Sequence, residues 1–158
     1  AAVLLAVVNV AYFTELIPPL PLTLTDSGVY HTLTKVPGGY LVKGEEEKPW
    51  WDIRTTTVHV TPGEAVYAFS AVKAPAAFGS AVTHVWEHQV SGKWVKMSEA
   101  TFPISGGREG GYRGYSQATV APGAWRVSVK TENGQVIGRI RFTVESASVV
   151  PALHEKTL

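Results

Sequence analysis

The run His84-Val85-Trp86-Glu87-His88 fits H-x-x-E-H, a pattern with which zinc peptidases set two imidazoles on one metal and a carboxylate beside it as general base. That chemistry needs a helix, where residues four apart share a face. Here the run is strand-like and leads into Ser91-Gly92, a two-residue hairpin signal. On a strand His84, Trp86 and His88 share one face and Glu87 takes the other. The two His would stand ~13 Å apart at Cα, too far to hold one ion. The run is therefore expected to be a Trp-centred core strand with polar ends, and no metal is expected.

The second distinctive stretch is Gly106-Gly107-Arg108-Glu109-Gly110-Gly111-Tyr112-Arg113-Gly114-Tyr115-Ser116. Successive glycines can turn backbone N–H groups toward an anion, and Arg adds planar multidentate donors. No Lys-Ser/Thr ending follows, so a nucleotide P-loop is excluded. Two readings stand: a tight connection whose glycines take positive φ, or a loop presented to a partner or ligand. On the second, Arg108, Tyr112, Arg113 and Tyr115 are the contact candidates. Trp50-Trp51 is a further candidate, as an exposed platform or an interfacial aromatic belt. Ser, His and Asp all occur, but there is no Gly-x-Ser-x-Gly elbow. Asp26 and Asp52, the only aspartates, fall outside the strand-rich region, so a hydrolase has little to work with. Neither an enzyme nor a cofactor is expected.

The bulk numbers agree with a globular chain. Of 158 residues 45% are hydrophobic and 17% charged, enough for one domain with an appendage. The net charge of +1 offers no concentrated basic face for nucleic acid. With no cysteine there is no disulfide framework, thiolate site or Cys nucleophile.

Short alternating runs separated by turn signals fill residues 52–145. Arg54–Val60 alternates, and Thr61-Pro62-Gly63-Glu64 turns. Ala65–Ala71 sets Val66, Ala68 and Ser70 on one face. Ala81–Val90 and Lys93–Ser98 flank the Ser-Gly turn, and Tyr112–Val120 follows. Ala124–Thr131 puts Trp125, Val127 and Val129 against Arg126, Ser128 and Lys130. After Glu132-Asn133-Gly134, Val136–Val144 alternates Ile140 and Phe142 with Arg139 and Arg141. Seven or eight strands without a helix between them predict an antiparallel β-sandwich. Residues 18–51, with Pro18, Pro19, Pro21 and the turn Pro37-Gly38-Gly39, read as an extended arm holding at most one early strand. Residues 146–158 read as a C-terminal arm.

Ala1–Phe13 carries no charge. A helix of that length covers roughly 20 Å against the ~30 Å of a bilayer core. Three readings fit: the outer part of a longer transmembrane helix, a short anchor completed by Leu16-Ile17, or a buried soluble helix. The membrane readings are favoured, with residues 1–17 as anchor and Leu4, Leu5, Val7, Val8, Tyr12 and Phe13 facing lipid or other helices. Thr14–Thr34 lacks Lys and Arg, which points this flank to the outside.

The order VYAFSAV, HVWEH with GKWV, GGREGGYRGYS, PGAWRVSV and GQVIGRIRFTV resembles bacterial domain-of-unknown-function family 2914. The upstream LIPPLPLTLTDSGVYH is similar to the joining segment of such proteins. The resemblance implies an immunoglobulin-like sandwich C-terminal to membrane-spanning segments, and it implies no activity. The expectation is a non-catalytic domain at the bacterial inner membrane, with the sandwich in the periplasm, docking on a larger membrane protein complex. The alternative is a module that binds cell-envelope carbohydrate or a small ligand.

Overall fold

The computed structural model describes residues 22–45, 55–74, 79–105 and 110–158. Eleven strands lie among them: β1 (Thr23–Tyr30), β2 (Thr32–Val36), β3 (Gly39–Gly44), β4 (Thr56–Val60), β5 (Ala65–Lys73), β6 (Gly79–Val90), β7 (Lys93–Ser105), β8 (Tyr112–Thr119), β9 (Gly123–Thr131), β10 (Val136–Ser146) and β11 (His154–Thr157). None of the described residues is helical, and none forms a helix long and apolar enough to cross a membrane. The expected anchor, 1–17 with Leu4, Leu5, Val7, Val8, Tyr12 and Phe13, lies outside the described residues.

Local chemistry sets the turns. Ser91 and Gly92 both have positive φ, 50° and 77°, as a two-residue loop must to match the twist of its strands. In Thr61–Glu64, Pro62 is followed by Gly63 at φ 86°, and Glu64 N–H donates to the Thr61 carbonyl at 3.1 Å. Proline fixes the first central residue of this turn and glycine accepts the left-handed second.

Period-two patterning sets the layers. A five-stranded sheet of order β4-β10-β9-β6-β7 faces a three-stranded sheet of order β1-β5-β8. Trp86, Trp125, Val127, Ile140, Phe142 and Val144 from the wide sheet meet Val66 and Ala68 from β5. Trp86 (0% exposed) and Trp125 (2%) pack on Phe142, the first edge-on at 6.1 Å and the second stacked at 6.5 Å. A smaller cluster of Val72, Val82, Ile104 and Val129 extends the core. Gly114 is required by close approach: a Cβ there would run into the Phe102 ring.

Three expectations are corrected. The sandwich is not purely antiparallel, because β4 runs parallel to β10, with Val58 beside Val144. Residues 22–45 are more than an arm: β1 pairs with β5, from Thr23 beside Lys73 to Tyr30 beside Tyr67, and β2 with β3 forms a hairpin. The C-terminal segment joins the fold through β11, which pairs with β3 in a small sheet of order β11-β3-β2. That sheet seats Tyr40 against Phe69, with ring centroids 5.7 Å apart. The cover explains why β5 buries Phe69 and Ala71 as well as the expected Val66, Ala68 and Ser70. Alternation marks a strand with one wet face, so it understates a strand covered on both. Among the described residues between 52 and 145 seven strands lie, within the seven or eight expected.

Candidate functional site

His84 stands in the middle of β6, fully buried beside Trp86. Its Nε2 is 2.7 Å from Ser70 Oγ and its Nδ1 2.8 Å from Ser116 Oγ. Trp86 Nε1–H donates to the same Ser116 oxygen at 2.9 Å. A neutral ring donates through one nitrogen and accepts through the other, so it bonds both serines at once, in opposite senses. Burial pushes the His84 pKa down to about 4, because a charged ring there would lose its hydration. Ser and His meet here, but in the sealed interior, where a substrate has no approach.

The rest of the H-x-x-E-H run follows the strand geometry. His88 shares the inner side and stacks on Trp125 at 4.6 Å. Glu87 points the other way, opposite Arg126 on β9. Arg126 donates to both Glu87 oxygens, at 2.7 and 2.8 Å, and Ser128 Oγ–H donates at 2.9 Å. The Arg126 guanidinium, outweighing burial, holds the Glu87 carboxyl below the usual range. It also lies 4.4 Å over the Trp94 ring. No group of three or more metal-ligating side chains converges among the described residues.

A second titratable centre lies at the outer edge of β4, and no motif announces it. His31 follows β1 and is 5% exposed. Its Nδ1 is 3.1 Å from Glu64 and its Nε2 2.9 Å from Glu45. Glu45 follows β3 and reaches over β4, accepting from the His59 backbone N–H through one oxygen and from His59 Nδ1 at 2.7 Å through the other. His59 Nε2 in turn faces Glu145 of β10 at 3.5 Å. Glu64 closes the far end by accepting from the Thr61 N–H at 2.9 Å and the Thr61 hydroxyl at 3.0 Å. The order is thus Glu64, His31, Glu45, His59, Glu145. Each imidazole lies between two carboxylates, in a line and not around one point.

The electrostatics follow. Hydrogen bonding to Glu45, with the charges of Glu45 and Glu145, outweighs desolvation and raises the His59 pKa. Burial alone would raise Glu45, but the His59 N–H, the His59 ring and His31 hold it below the usual carboxylate range. Glu64 is shifted down in the same way, burial being overcome by Thr61 and His31. His31 and Glu45 also line an open cleft of about 900 Å³ with Asp26, Thr57, His154 and Glu155.

The third feature is the β6–β7 hairpin. β7 is the far edge of the wide sheet, and Val90, Val95 and Met97 are 46%, 44% and 55% exposed. Val95 pairs with His88 and so faces the core side, at an end where the narrower opposing sheet leaves it uncovered. The ladder breaks register beside Trp86 and Glu87, which leaves Met97 without a partner on β6.

Of the contact candidates read from sequence, Tyr112, Arg113 and Tyr115 lie among the described residues, on β8. Arg113 is half-buried and donates to the Leu158 carbonyl at 3.1 Å, tying β8 to the C-terminal strand. Tyr112 packs against the smaller core cluster. Tyr115 is 44% exposed and leans on Tyr40 at 5.7 Å and Tyr67 at 6.5 Å. Trp50, Trp51, Arg108, Gly106 and Gly107 lie outside the described residues. The edge network escaped sequence reasoning because its five members are spread from residue 31 to residue 145. His59, in the alternating run Arg54–Val60, and Glu64, in the turn after it, stood beside signals of structure and not of a site.

A family model described as Protein of unknown function (DUF2914) matches residues 80–144, the family whose resemblance the motifs carried. The match runs from β6 to β10. It takes in His84, the Glu87–Arg126 pair and the exposed hairpin, whereas all five members of the edge network fall outside it. No curated protein matches the chain. Among solved structures the chain is similar to the crystal structure of an immunoglobulin-like protein from Pseudomonas aeruginosa, at 12% identity and a TM-score of 0.39, covering 81% of this chain and 99% of that one.

Proposed function

We infer that the chain is a non-catalytic, immunoglobulin-like β-sandwich, held at the bacterial inner membrane by residues 1–17 with the sandwich in the periplasm. On this reading it docks on a larger membrane protein complex and helps to assemble it. The β6–β7 hairpin carries the reading. Of the five exposed large hydrophobics among the described residues, three, Val90, Val95 and Met97, fall on this one hairpin. Scattered apolar residues are ordinary on a surface, but a cluster beside an uncovered sheet face marks a contact. Two facing sheets, β4-β10-β9-β6-β7 and β1-β5-β8, antiparallel in all pairings but β4–β10, support the immunoglobulin-like description. The sealed Ser–His contact at position 84 supports a structural role for the residues that first suggested chemistry. Membrane attachment and its side rest on the uncharged Ala1–Phe13 and the Lys- and Arg-free flank to Thr34.

The test is isolation of the full chain from native membranes in mild detergent, beside the double variant Val95→Ser/Met97→Ser. Wild type should bring a defined set of membrane proteins that the variant loses, with its melting temperature within a few degrees. Retention of the same partners by the variant would remove the hairpin from the account. One observation favours carbohydrate binding instead: Tyr40, Tyr67 and Tyr115 group with one ring open to solvent. That reading requires retention of the chain on envelope polysaccharide that Tyr115→Ala abolishes.

A further inference from the structure

We propose that the free edge of β8 and the uncovered inner side of β7 form one groove, which takes an extended segment of the docking partner as a fourth strand of the narrow sheet. The inference rests on the hairpin reading above and states how the partner is held. Its first support is a comparison of edges. An exposed sheet edge invites pairing, and folds blunt it with charge, proline, bulges or brevity. β7 carries Lys93, Lys96, Pro103 and a register break at Met97. β1 breaks register between Leu24 and Asp26. β4 has five residues and gives its His59 N–H to Glu45. β8 has none of these devices. It pairs with β5 without a shift over eight residues, holds no proline, and turns its single charge, Arg113, to the Leu158 carbonyl. From Tyr115 to Thr119 no backbone bond beyond the β5 ladder is made among the described residues.

The second support is the step between the two sheets. β6 faces β8, because His84 and Trp86 both reach Ser116. β7 lies one strand farther out, beyond the last strand of the narrow sheet. The Phe102 ring closes this step at Gly114. Toward the hairpin no described residue closes it. Val95 and Ser98 pair with His88 and Trp86 and so face inward, yet both are exposed. A strand bonded to Tyr115–Thr119 would run about 5 Å beyond β8 and lie over these two residues. Every second side chain of that strand points onto β7, so the segment is apolar at alternate positions.

The same step selects the occupant. A second copy offering its own β8 through a two-fold axis would continue the narrow sheet. Each wide sheet overhangs by one strand, however, so β7 of one copy would fall where β6 of the other already stands. A lone extended segment has no such sheet behind it.

The probe is a synthetic peptide of alternating Val and Thr with Glu at both ends, added in excess to the full chain, and the readout is amide hydrogen exchange. Alternate amides from Tyr115 to Thr119 should exchange roughly tenfold more slowly, the factor for one gained backbone hydrogen bond. The amides between them, already bonded to β5, should stay as they were. Ser98→Lys, which sets a charge on the exposed inner side of β7, should abolish the gain with the melting temperature within a few degrees. Unchanged β8 amides, slowing along β7 instead, or Tyr115–Thr119 amides all protected before peptide is added each overturn the proposal, as does an undiminished gain in Ser98→Lys. Should Ser98→Lys fail to fold, the wild-type pattern still decides. The two readings separate: loss of membrane partners by Val95→Ser/Met97→Ser with no peptide effect on β8 keeps the docking hairpin and removes the strand. A peptide effect on β8 in a chain that brings no membrane partner keeps the groove and removes the complex.

Discussion

His84 and His59 are the same residue type in two regions that treat it in opposite ways. Around His84 the surroundings are two hydroxyls, an indole and aliphatic side chains, all excluded from water. No nearby charge compensates a protonated ring, so burial drives its pKa down to about 4. Around His59 the surroundings are Glu45 and Glu145, and a third of the ring faces solvent, so carboxylates win and the pKa rises. The first ring is a neutral hydrogen-bonding strut that unites β5, β6 and β8. The second is a charge that depends on solution conditions. Which role a histidine takes is decided by whether its partners are hydroxyls or carboxylates, and the local motif does not report that.

The core half of this contrast breaks most severely at Trp125, which fills the space under Phe142 and stacks on His88. Trp125→Ala should cost ~3–5 kcal/mol in chemical denaturation, the range for losing a buried aromatic. A change below ~1 kcal/mol would show that this face is not the core.

Acid comes next. A group whose folded pKa is depressed by burial binds its proton more readily when unfolded, so stability is intact above 6.5 and falls toward pH 4. From 6.5 to about 4 the loss attributable to His84 is about 3 kcal/mol at 1.4 kcal/mol per unit. His84→Gln should flatten this part of the stability profile, whatever its effect at neutral pH. An equally steep acid limb in the variant would assign the loss to other groups.

Ser116→Ala is smaller and more selective. It deprives both His84 Nδ1 and Trp86 Nε1 of their partner and should cost ~1–3 kcal/mol by leaving buried polar atoms unpaired. Val95→Ser should move the midpoint by less than ~0.5 kcal/mol, as a surface change does, because the side chain is exposed. A large loss there would make the hairpin part of the core.

The two regions also differ in how far they could be read from the sequence. Trp86, Trp125, Phe142 and Ile140 were legible because period-two alternation places each on the inner side, and Ser91-Gly92 because only certain residues accept positive φ. The strand placement of His84 and Glu87 followed from the same rules, which is why H-x-x-E-H could be separated from metal chemistry. The edge network was not legible. Glu45 belongs to the acidic run Glu45-Glu46-Glu47, which reads as a solvated loop, His31 lies in a stretch without clear periodicity, and His59 is one polar position of the alternating run Arg54–Val60. Their meeting depends on β1, β3 and β11, where local patterning allowed at most one early strand. β1 is half polar, β2 and β3 are short, and β11 has four exposed residues; each gains its order from the strand it joins. Long-range pairing carries no local signature.

One measurement tests the contrast as a whole: imidazole proton or carbon shifts across a pH titration of the full chain, with the resonances assigned through His59→Gln and His84→Gln. The account predicts that His59 titrates above the ordinary histidine value of 6.5, and that Glu45→Gln lowers its midpoint. It predicts that His84 stays neutral down to about pH 4 or until the chain unfolds, and that Glu45→Gln leaves it unmoved. Two histidines titrating together near 6.5, both indifferent to Glu45→Gln, would contradict the division between a sealed core strut and a charged edge.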